Sequence, residues 1–176
     1  TYAMAELLCG SEEVFVQKMN EKAKELGMNN TTFKNCHGLD EDGHLSSSHD
    51  IAIMSRELLT KHPEITEYTK TWMDSLRDGK SELVNTNKLI RTYEGATGLK
   101  TGSTSLALYN LSASATRDNL SLIAVVLRAP TTKIRFAEAK LLLDYGFGTY
   151  KFEKIASKGD VLQNISVSKG TESTVN

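Results

Sequence analysis

The sequence predicts an α+β fold in which helices cover an antiparallel sheet. Two observations support this class. Segments with apolar residues at helical spacing fill the first third of the chain, and strand-like segments separated by tight turns follow them before one last helix. Strands and helices do not alternate, so a parallel sheet of βαβ units is not expected. With 176 residues, the chain is long enough to bury a core without disulfide bonds.

The composition is that of a globular protein and argues against two classes of function. The 21 basic and 22 acidic residues give a net charge of −1, and the absence of a Lys/Arg block argues against a nucleic-acid partner. The longest apolar stretches, such as Leu122 to Leu127, are too short to cross a bilayer. Two cysteines, Cys9 and Cys36, cannot form a disulfide framework.

Two helices are predicted in the first 27 residues. The first runs from Tyr2 to Leu8 and ends near Gly10, a residue type that favours helix C-termini. Ser11 then reads as an N-cap, because two glutamates follow it in what would be the first turn. The second helix ends at Gly27 and places four apolar residues on one face, Phe15, Met19, Ala23 and Leu26. Because the link is short, the two helices should pack together.

A loop and a third helix follow. An extended piece at Thr31–Phe33 leads into the polar loop Asn35–His44. Ser47 and Asp50 form a capping pair for a helix that Pro63 ends or restarts. Four apolar residues of this helix are expected to face inward, namely Ile51, Met54, Leu58 and Leu59.

The strands come next. Residues Thr71 to Val84 predict a hairpin with its turn at Asp78-Gly79. Two clear strands follow at Tyr109–Thr116 and Leu120–Leu127, joined by a tight turn at Asp118-Asn119. Alternating sequence of this kind predicts antiparallel neighbours.

The last helix is predicted from about Thr132 to Tyr145, with Gly146 as its stop. Beyond it, short segments with alternating apolar residues, such as Val161, Ile165 and Val167, predict a second, β-rich module. We therefore divide the chain into a domain at 1–148 and the start of another at 149–176. Because the chain starts at Thr1, inside a predicted helix and without Met, we expect that the first domain has lost its beginning.

The segment Gly95–Thr104 carries the most informative motif. A phosphate-binding P-loop requires Gly immediately before Lys-Thr and a following helix, but Leu99 holds that position and the following residues are strand-like. The alternative is a strand that carries Lys100-Thr101-Gly102. On the triplet alone, a glycine-flanked turn with a solvated Lys is the favoured interpretation.

A strand with this triplet has a definite chemistry. Alternation sends Lys100 and Thr101 to opposite faces unless a bulge intervenes. The Lys favours nearby negative charge, and the Thr hydroxyl can donate to a substrate carboxylate. Gly102 leaves the edge open for a peptide to pair as an added strand, and a backbone N–H just after the triplet can stabilise an oxyanion.

Several further motifs stand in order around the triplet. They are Gly10–Glu13 with Phe15-Val16 and Met19-Asn20, His37–Asp40 with Ser47-Ser48 and Asp50–Ala52, Asn85–Leu89, Gly98–Thr104, Tyr109–Thr116, and Arg135 with Glu138 and Leu141–Phe147. This set resembles the low-molecular-mass penicillin-binding proteins, the D-alanyl-D-alanine carboxypeptidases of serine peptidase family S11. The resemblance implies a serine β-lactamase/transpeptidase-like fold, no metal or organic cofactor, and an exported protein held at the membrane by segments outside this chain.

The resemblance also implies a mechanism. A Ser in a Ser-x-x-Lys motif attacks the D-Ala-D-Ala bond of a peptidoglycan stem peptide, and β-lactams acylate the same Ser. Lys100 would assist proton transfer, and Thr101 would bind the terminal carboxylate with Arg135. Ser103 would supply an oxyanion N–H, and His37 would either line the cleft or stabilise its loop.

The sequence departs from the family pattern in several places. The one Ser-x-x-Lys match, Ser166–Lys169, lies in the alternating tail, where residues i and i+3 point to opposite faces. No Ser-x-Asn occurs, so we expect the nucleophile and the second motif outside this chain. Leu106 stands where many relatives carry Lys, and Thr86 where some carry Arg.

A metal site and a non-catalytic role are the two alternatives to this assignment. The four histidines, at spacings of 7, 5 and 13, do not match a zinc motif, and we expect no metal site. The second reading is a non-catalytic relative or fragment that keeps the peptide-binding edge without chemistry.

Overall fold

The computed structural model describes residues 1–161, 163, 165, 166, 168–171, 174 and 175. In chain order, the elements are α1 (Tyr2–Cys9), α2 (Glu12–Glu25), α3 (Ser48–Lys61), α4 (Ile65–Thr69), β1 (Met73–Leu76), β2 (Ser81–Val84), α5 (Leu89–Thr92), β3 (Ala96–Thr104), β4 (Leu108–Arg117), β5 (Leu120–Ala129), α6 (Thr132–Thr149), β6 (Ile165–Ser166) and β7 (Thr174–Val175). The predicted α+β class is confirmed.

The central element is a three-stranded antiparallel sheet with the order β3-β4-β5. Helix α6 packs against β4 and β5, and α3 contacts the same two strands. The apolar face of β4 meets α6 in one buried cluster, which includes Leu111, Ala113, Ala115, Ala139 and Leu143. The intervening residues of β4 are serines on the opposite face, where Ser112 meets Ser55 of α3 across 2.7 Å between the two hydroxyl oxygens. Alternation along β4 therefore separates an apolar layer from a hydroxyl layer.

The two helices predicted in the first 27 residues are confirmed. Helix α1 ends at Gly10, whose φ of 82° is the left-handed conformation typical of helix C-termini. The hydroxyl of Ser11 accepts the N–H of Val14 at 3.3 Å, which is the predicted N-cap. Helices α1 and α2 contact each other, as their short link requires.

The cap of α3 is confirmed, but its predicted inward face is partly wrong. The hydroxyl of Ser47 accepts the N–H of Asp50 at 3.2 Å. Met54 and Leu58, which we expected inside, are 37% and 36% exposed, whereas Asp50 and Ser55 are buried. Hydrogen bonds explain why this face is buried. The Asp50 carboxylate accepts the N–H of Asn30 and the hydroxyl of Thr31 at 2.8 and 2.7 Å, and these bonds turn the Asp50 side of the helix inward.

Both predicted hairpins are present. Strands β1 and β2 pair in antiparallel register, and Arg77, Asp78 and Gly79 at the turn all have positive φ. Strands β4 and β5 pair around Asp118 and Asn119, whose φ angles of 46° and 64° fit the tight turn expected there.

The predicted end of the last helix is wrong. Helix α6 continues through Gly146 to Thr149. Gly146 lies on the buried stripe and allows a close approach to β5, since a Cβ at this position would stand 2.6 Å from Cδ1 of Leu122. A glycine that reads as a helix stop in sequence is therefore a packing residue. The apolar residues Leu141 and Leu142 are 62% and 49% exposed, so they do not form the buried face.

The β-rich module remains a prediction, as does the boundary at 148/149. The structure pairs β6 with β7 as two short antiparallel strands. Val167, one of the positions on which the module was predicted, lies outside the described residues. Among the described helices, none is long and apolar enough to cross a membrane.

Candidate active site

The triplet Lys100-Thr101-Gly102 lies in the middle of β3, as its strand-like context predicted. Its register pairs Lys100 with Ser112 and Thr101 with Leu111. Directly opposed residues share a face, so Lys100 lies on the α3 side and Thr101 on the α6 side. Lys100 is exposed and Thr101 is 8% exposed, which confirms the expected alternation.

The edge of β3 is open in the described part of the chain, where the strand pairs only with β4. Gly102 and Ser103 are exposed at this edge, and nothing would obstruct a Cβ on Gly102 within 4 Å. The side chain of Lys100 donates from Nζ to the carbonyl oxygen of Thr101. An extended peptide could pair with the backbone of this strand, with Lys100 on one side of it.

The hydroxyl of Thr101 already has a partner. Oγ1 of Thr101 lies 2.6 Å from Oγ1 of Thr86, which follows the β1–β2 hairpin. Asparagines on both sides hold Thr86 in place: Nδ2 of Asn85 donates to the carbonyl oxygens of Thr69 and Thr71, and Nδ2 of Asn87 donates to that of Gly98. Sequence reasoning missed Asn85 and Asn87 as site residues, because their partners are main-chain atoms of other segments.

Arg135 is the buried cation of the site. It lies on the inner stripe of α6, is 5% exposed, and donates from Nη1 to the carbonyl oxygens of Asn110 and Gly102 at 3.1 and 3.4 Å. Its guanidinium also lies 4.8 Å from the ring centroid of Phe136. Burial lowers the pKa of Arg135, but an Arg starts so high that it stays charged. The structure therefore places this cation against the triplet.

A local irregularity of the sheet lies beside Arg135. The register of β4 against β5 shifts between Tyr109 and Leu111. In this bulge the side-chain oxygen of Asn110 accepts the N–H of Arg128 at 2.8 Å. The main-chain carbonyl of Asn110 accepts from Arg135 instead, so the bulge supplies a hydrogen-bond acceptor for the buried cation.

The loop that contains His37 is joined to the end of β3. The carboxylate of Asp40 accepts the hydroxyl of Thr104 at 2.5 Å, and the hydroxyl of Ser105 and the N–H of Leu106 at 3.3 Å each. The hydrogen bond from Thr104 is the main cause that lowers the pKa of Asp40 below its usual 3.8. Asp40 belongs to the polar loop predicted from the sequence, and nothing local could reveal a partner 64 residues away.

His37 is held within this loop. Its Nδ1 accepts the N–H of Leu39 at 3.2 Å, and its Nε2 lies 3.9 Å from Oε1 of Glu12. The buried side chain of Asn35 supports the same turn by accepting the N–H of Gly38 at 2.8 Å. The loop that contains His37 reaches the end of β3 through Asp40, and the role of His37 in substrate binding stays a prediction.

Metal binding has no support in the described residues. They contain no group of three or more His, Cys, Asp or Glu side chains placed to hold an ion. The tail match Ser166–Lys169 includes Val167, which lies outside the described residues, while Ser166 itself belongs to the two-residue strand β6.

Two comparisons with solved structures define the class. Penicillin-binding protein 5 from Haemophilus influenzae superimposes with a TM-score of 0.83 at 35% identity, covering 99% of this chain and 51% of that one. Penicillin-binding protein D2 from Listeria monocytogenes, in its cefotaxime-bound form, gives a TM-score of 0.70 at 38% identity, covering 76% of this chain and 55% of that one. The predicted penicillin-binding protein fold, of the transpeptidase type, is confirmed.

Sequence comparisons define the family. The family model for Peptidase S11, D-alanyl-D-alanine carboxypeptidase, matches residues 1–131. D-alanyl-D-alanine carboxypeptidase DacF of Bacillus subtilis is 49% identical over 173 residues, which are 97% of this chain and 44% of DacF. DacC of Escherichia coli is 42% identical over 146 residues, which are 82% of this chain and 36% of DacC. The chain belongs to the peptidase S11 family of D-alanyl-D-alanine carboxypeptidases, and it spans less than half the length of these curated relatives.

Proposed function

We propose that this chain is part of a serine-type D-Ala-D-Ala carboxypeptidase that removes the terminal D-Ala from peptidoglycan stem peptides. One observation carries the proposal: the open edge of β3 presents Lys100-Thr101-Gly102, and Arg135 is buried against the carbonyl oxygen of Gly102. An open edge suits an extended peptide, and a buried cation beside it suits the carboxylate at the end of that peptide.

The proposed reaction has two steps. A serine hydroxyl, supplied from outside these 176 residues, attacks the carbonyl carbon of the penultimate D-Ala; the C–N bond breaks, and D-Ala leaves as the protonated amine. Water then hydrolyses the ester and restores the hydroxyl. Lys100 lowers the cost of negative charge and helps to move the proton, and the backbone N–H of Ser103 stabilises the oxyanion.

The substrate carboxylate would meet Thr101 and Arg135, on the α6 side of the edge. His37 would line the cleft from the loop that Asp40 holds against the end of β3. β-Lactams are the proposed inhibitors, in keeping with the cefotaxime-bound relative from Listeria. A peptidoglycan substrate places the enzyme on the extracytoplasmic side, with any membrane attachment through segments outside this chain. The reaction needs no cofactor.

Covalent labelling with a fluorescent penicillin tests the proposal. The complete gene product that contains this chain should be labelled and should release D-Ala from a peptide ending in D-Ala-D-Ala. The 176-residue chain alone should not be labelled, because Ser166, the serine of its single Ser-x-x-Lys match, lies in the two-residue strand β6. Excess unlabelled penicillin is the control for specific labelling.

Two results would contradict this proposal. Labelling of the 176-residue chain would mean that Ser166 or another serine of this chain is the nucleophile. A complete gene product that is neither labelled nor active would instead favour a non-catalytic peptide-binding module.

A further inference from the structure

We infer that Thr86 is a positioning residue of the candidate site: it donates its hydroxyl proton to Thr101 and so leaves the Thr101 proton free for an anionic substrate group. This inference rests on the proposed function and assigns a role to a residue outside the triplet. Its starting point is the 2.6 Å contact between the two hydroxyl oxygens.

The proton count of the pair supports this direction. Two threonine hydroxyls carry two protons, and one proton lies between the two oxygens. If Thr101 were the donor, its only proton would be used, and it could not donate to a carboxylate. A carboxylate bound at Thr101 therefore requires Thr86 to be the donor. The proton of Thr86 then occupies one lone pair of the Thr101 oxygen, and this fixes the direction in which the Thr101 proton points.

The exposure of the two residues fits these roles. Thr101 is 8% exposed, whereas Thr86 is exposed. A ligand bound at the Thr101 hydroxyl would therefore lie next to Thr86, whose hydroxyl oxygen is 2.6 Å away. The pair offers one free hydroxyl proton at the boundary between the buried face of β3 and the solvent.

The backbone around Thr86 is held independently of its side chain. Asn87 is 1% exposed, and its side chain joins the carbonyl oxygen of Gly98 to the N–H of Leu89, at 3.0 and 3.2 Å. Asn85 accepts the N–H of Asn87 at 2.9 Å and donates to main-chain oxygens on its other side. Removing the hydroxyl of Thr86 should therefore leave the segment in place.

The charge beside the pair indicates the ligand class. Arg135 is buried against the carbonyl oxygen of Gly102, the residue after Thr101. Its Nε has no hydrogen-bond partner among the described residues. A buried cation with a free donor favours an anion nearby, and a carboxylate can accept from both a hydroxyl and a guanidinium.

The test compares Thr86→Val, which keeps the shape but removes the hydroxyl, with Thr86→Ser, which keeps the hydroxyl. Both are made in the complete gene product, with Thr60→Val on the exposed face of α3 as the matched control. The acylation rate is measured with a β-lactam that has a free carboxylate and with its methyl ester. The methyl ester has no negative charge at this position, so its acylation rate reports how a variant affects the rest of the site.

We expect T86V to acylate about tenfold more slowly with the carboxylate β-lactam, since a hydrogen bond to a charged group is lost or misdirected. Acylation by the ester should change less than about twofold, and T86S and T60V should stay near the wild-type rates. The ratio of the two rates is a readout that a merely structural hydrogen bond would not move.

Three results with T86V would overturn the inference: acylation at the wild-type rate with both compounds, an equal loss of both rates, or reaction with neither compound. A T86S protein that is as impaired as T86V would also overturn it. A wild-type protein that reacts with neither compound would overturn the proposed function, and this inference with it. Wild-type reactivity therefore separates the two failures.

Discussion

At the scale of single residues, neighbours in sequence act on different sides of the sheet. Lys100 pairs with Ser112, whose hydroxyl meets Ser55 of α3, whereas Thr101 pairs with Leu111 of the apolar cluster. One edge strand therefore presents a cation on one face and a hydroxyl on the other.

Lys100→Ala tests the first of these residues. In the complete gene product it should slow acylation by a fluorescent penicillin at least about 100-fold, because a positioned proton-transfer group contributes about two to four orders of magnitude. Lys80→Ala, an exposed lysine in the β1–β2 turn, is the control and should acylate normally. An unchanged acylation rate for K100A would refute the assigned role.

At the scale of elements, the buried face of α6 is not the face that carries most of its large apolar residues. Its buried residues are Arg135, Ala139, Leu143 and Gly146, at spacings of 4, 4 and 3. Small residues let the helix approach the sheet closely, and Arg135 uses the same stripe to reach β3. The helix thus joins the core and the candidate site.

Gly146→Ala tests the close approach of α6 to β5, with Gly148→Ala as the matched control. Both changes place alanine near the end of the same helix, but a Cβ at 146 would meet Leu122 at 2.6 Å, and one at 148 would meet nothing within 4 Å. We expect the free energy of unfolding of G146A to be about 1 to 2 kcal/mol below that of G148A. Chemical denaturation measures it; equal stabilities would show that Leu122 moves aside without cost.

At the scale of the whole molecule, Tyr93 joins three parts of the fold. It follows α5, its hydroxyl donates to Oδ1 of Asp144 on α6 at 2.8 Å, and Arg117 at the end of β4 lies 4.5 Å from its ring centroid. Burial, followed by the hydrogen bond to Asp144, raises the pKa of Tyr93 from 10.0 to about 12. The fold thus stabilises the neutral, protonated form of the Tyr93 hydroxyl.

This shift predicts a loss of stability at alkaline pH. Between pH 10 and 12 the folded state holds a proton that the unfolded state has released, so the free energy of unfolding falls as the pH rises, and below pH 10 the contribution is complete. The contribution is on the order of 2 kcal/mol. Tyr93→Phe should have a flatter stability profile in this range when urea unfolding is measured at each pH.

Tyr145→Phe, which changes a tyrosine of α6 that is 66% exposed, is the control and should keep the wild-type profile. If Y93F and the wild type lose stability in parallel from pH 10 to 12, another group carries the alkaline transition.

Much of the fold could be predicted because its signals are local. The caps at Ser11 and Ser47 and the turns at Asp78-Gly79 and Asp118-Asn119 depend on atoms within four residues of one another. The triplet was placed on a strand for the same reason. Order and spacing of motifs then identified the family.

The contacts of the site needed the tertiary structure. The bonds from Thr104 to Asp40 and between Thr86 and Thr101 join segments that are 64 and 15 residues apart. Both residue types, Asp in a loop and Thr after a strand, are common on surfaces, so no local pattern marks them.

The sequence by itself determined the α+β class, the caps and turns, the strand that carries Lys100-Thr101-Gly102, and membership of the family. Only the tertiary structure decided which face of α3 and α6 is buried, that Gly146 lies within a helix, and which hydroxyl meets Thr101. The physical reason is that caps and turns satisfy the backbone within a few residues, whereas burial and side-chain pairing depend on what another segment brings to the same place.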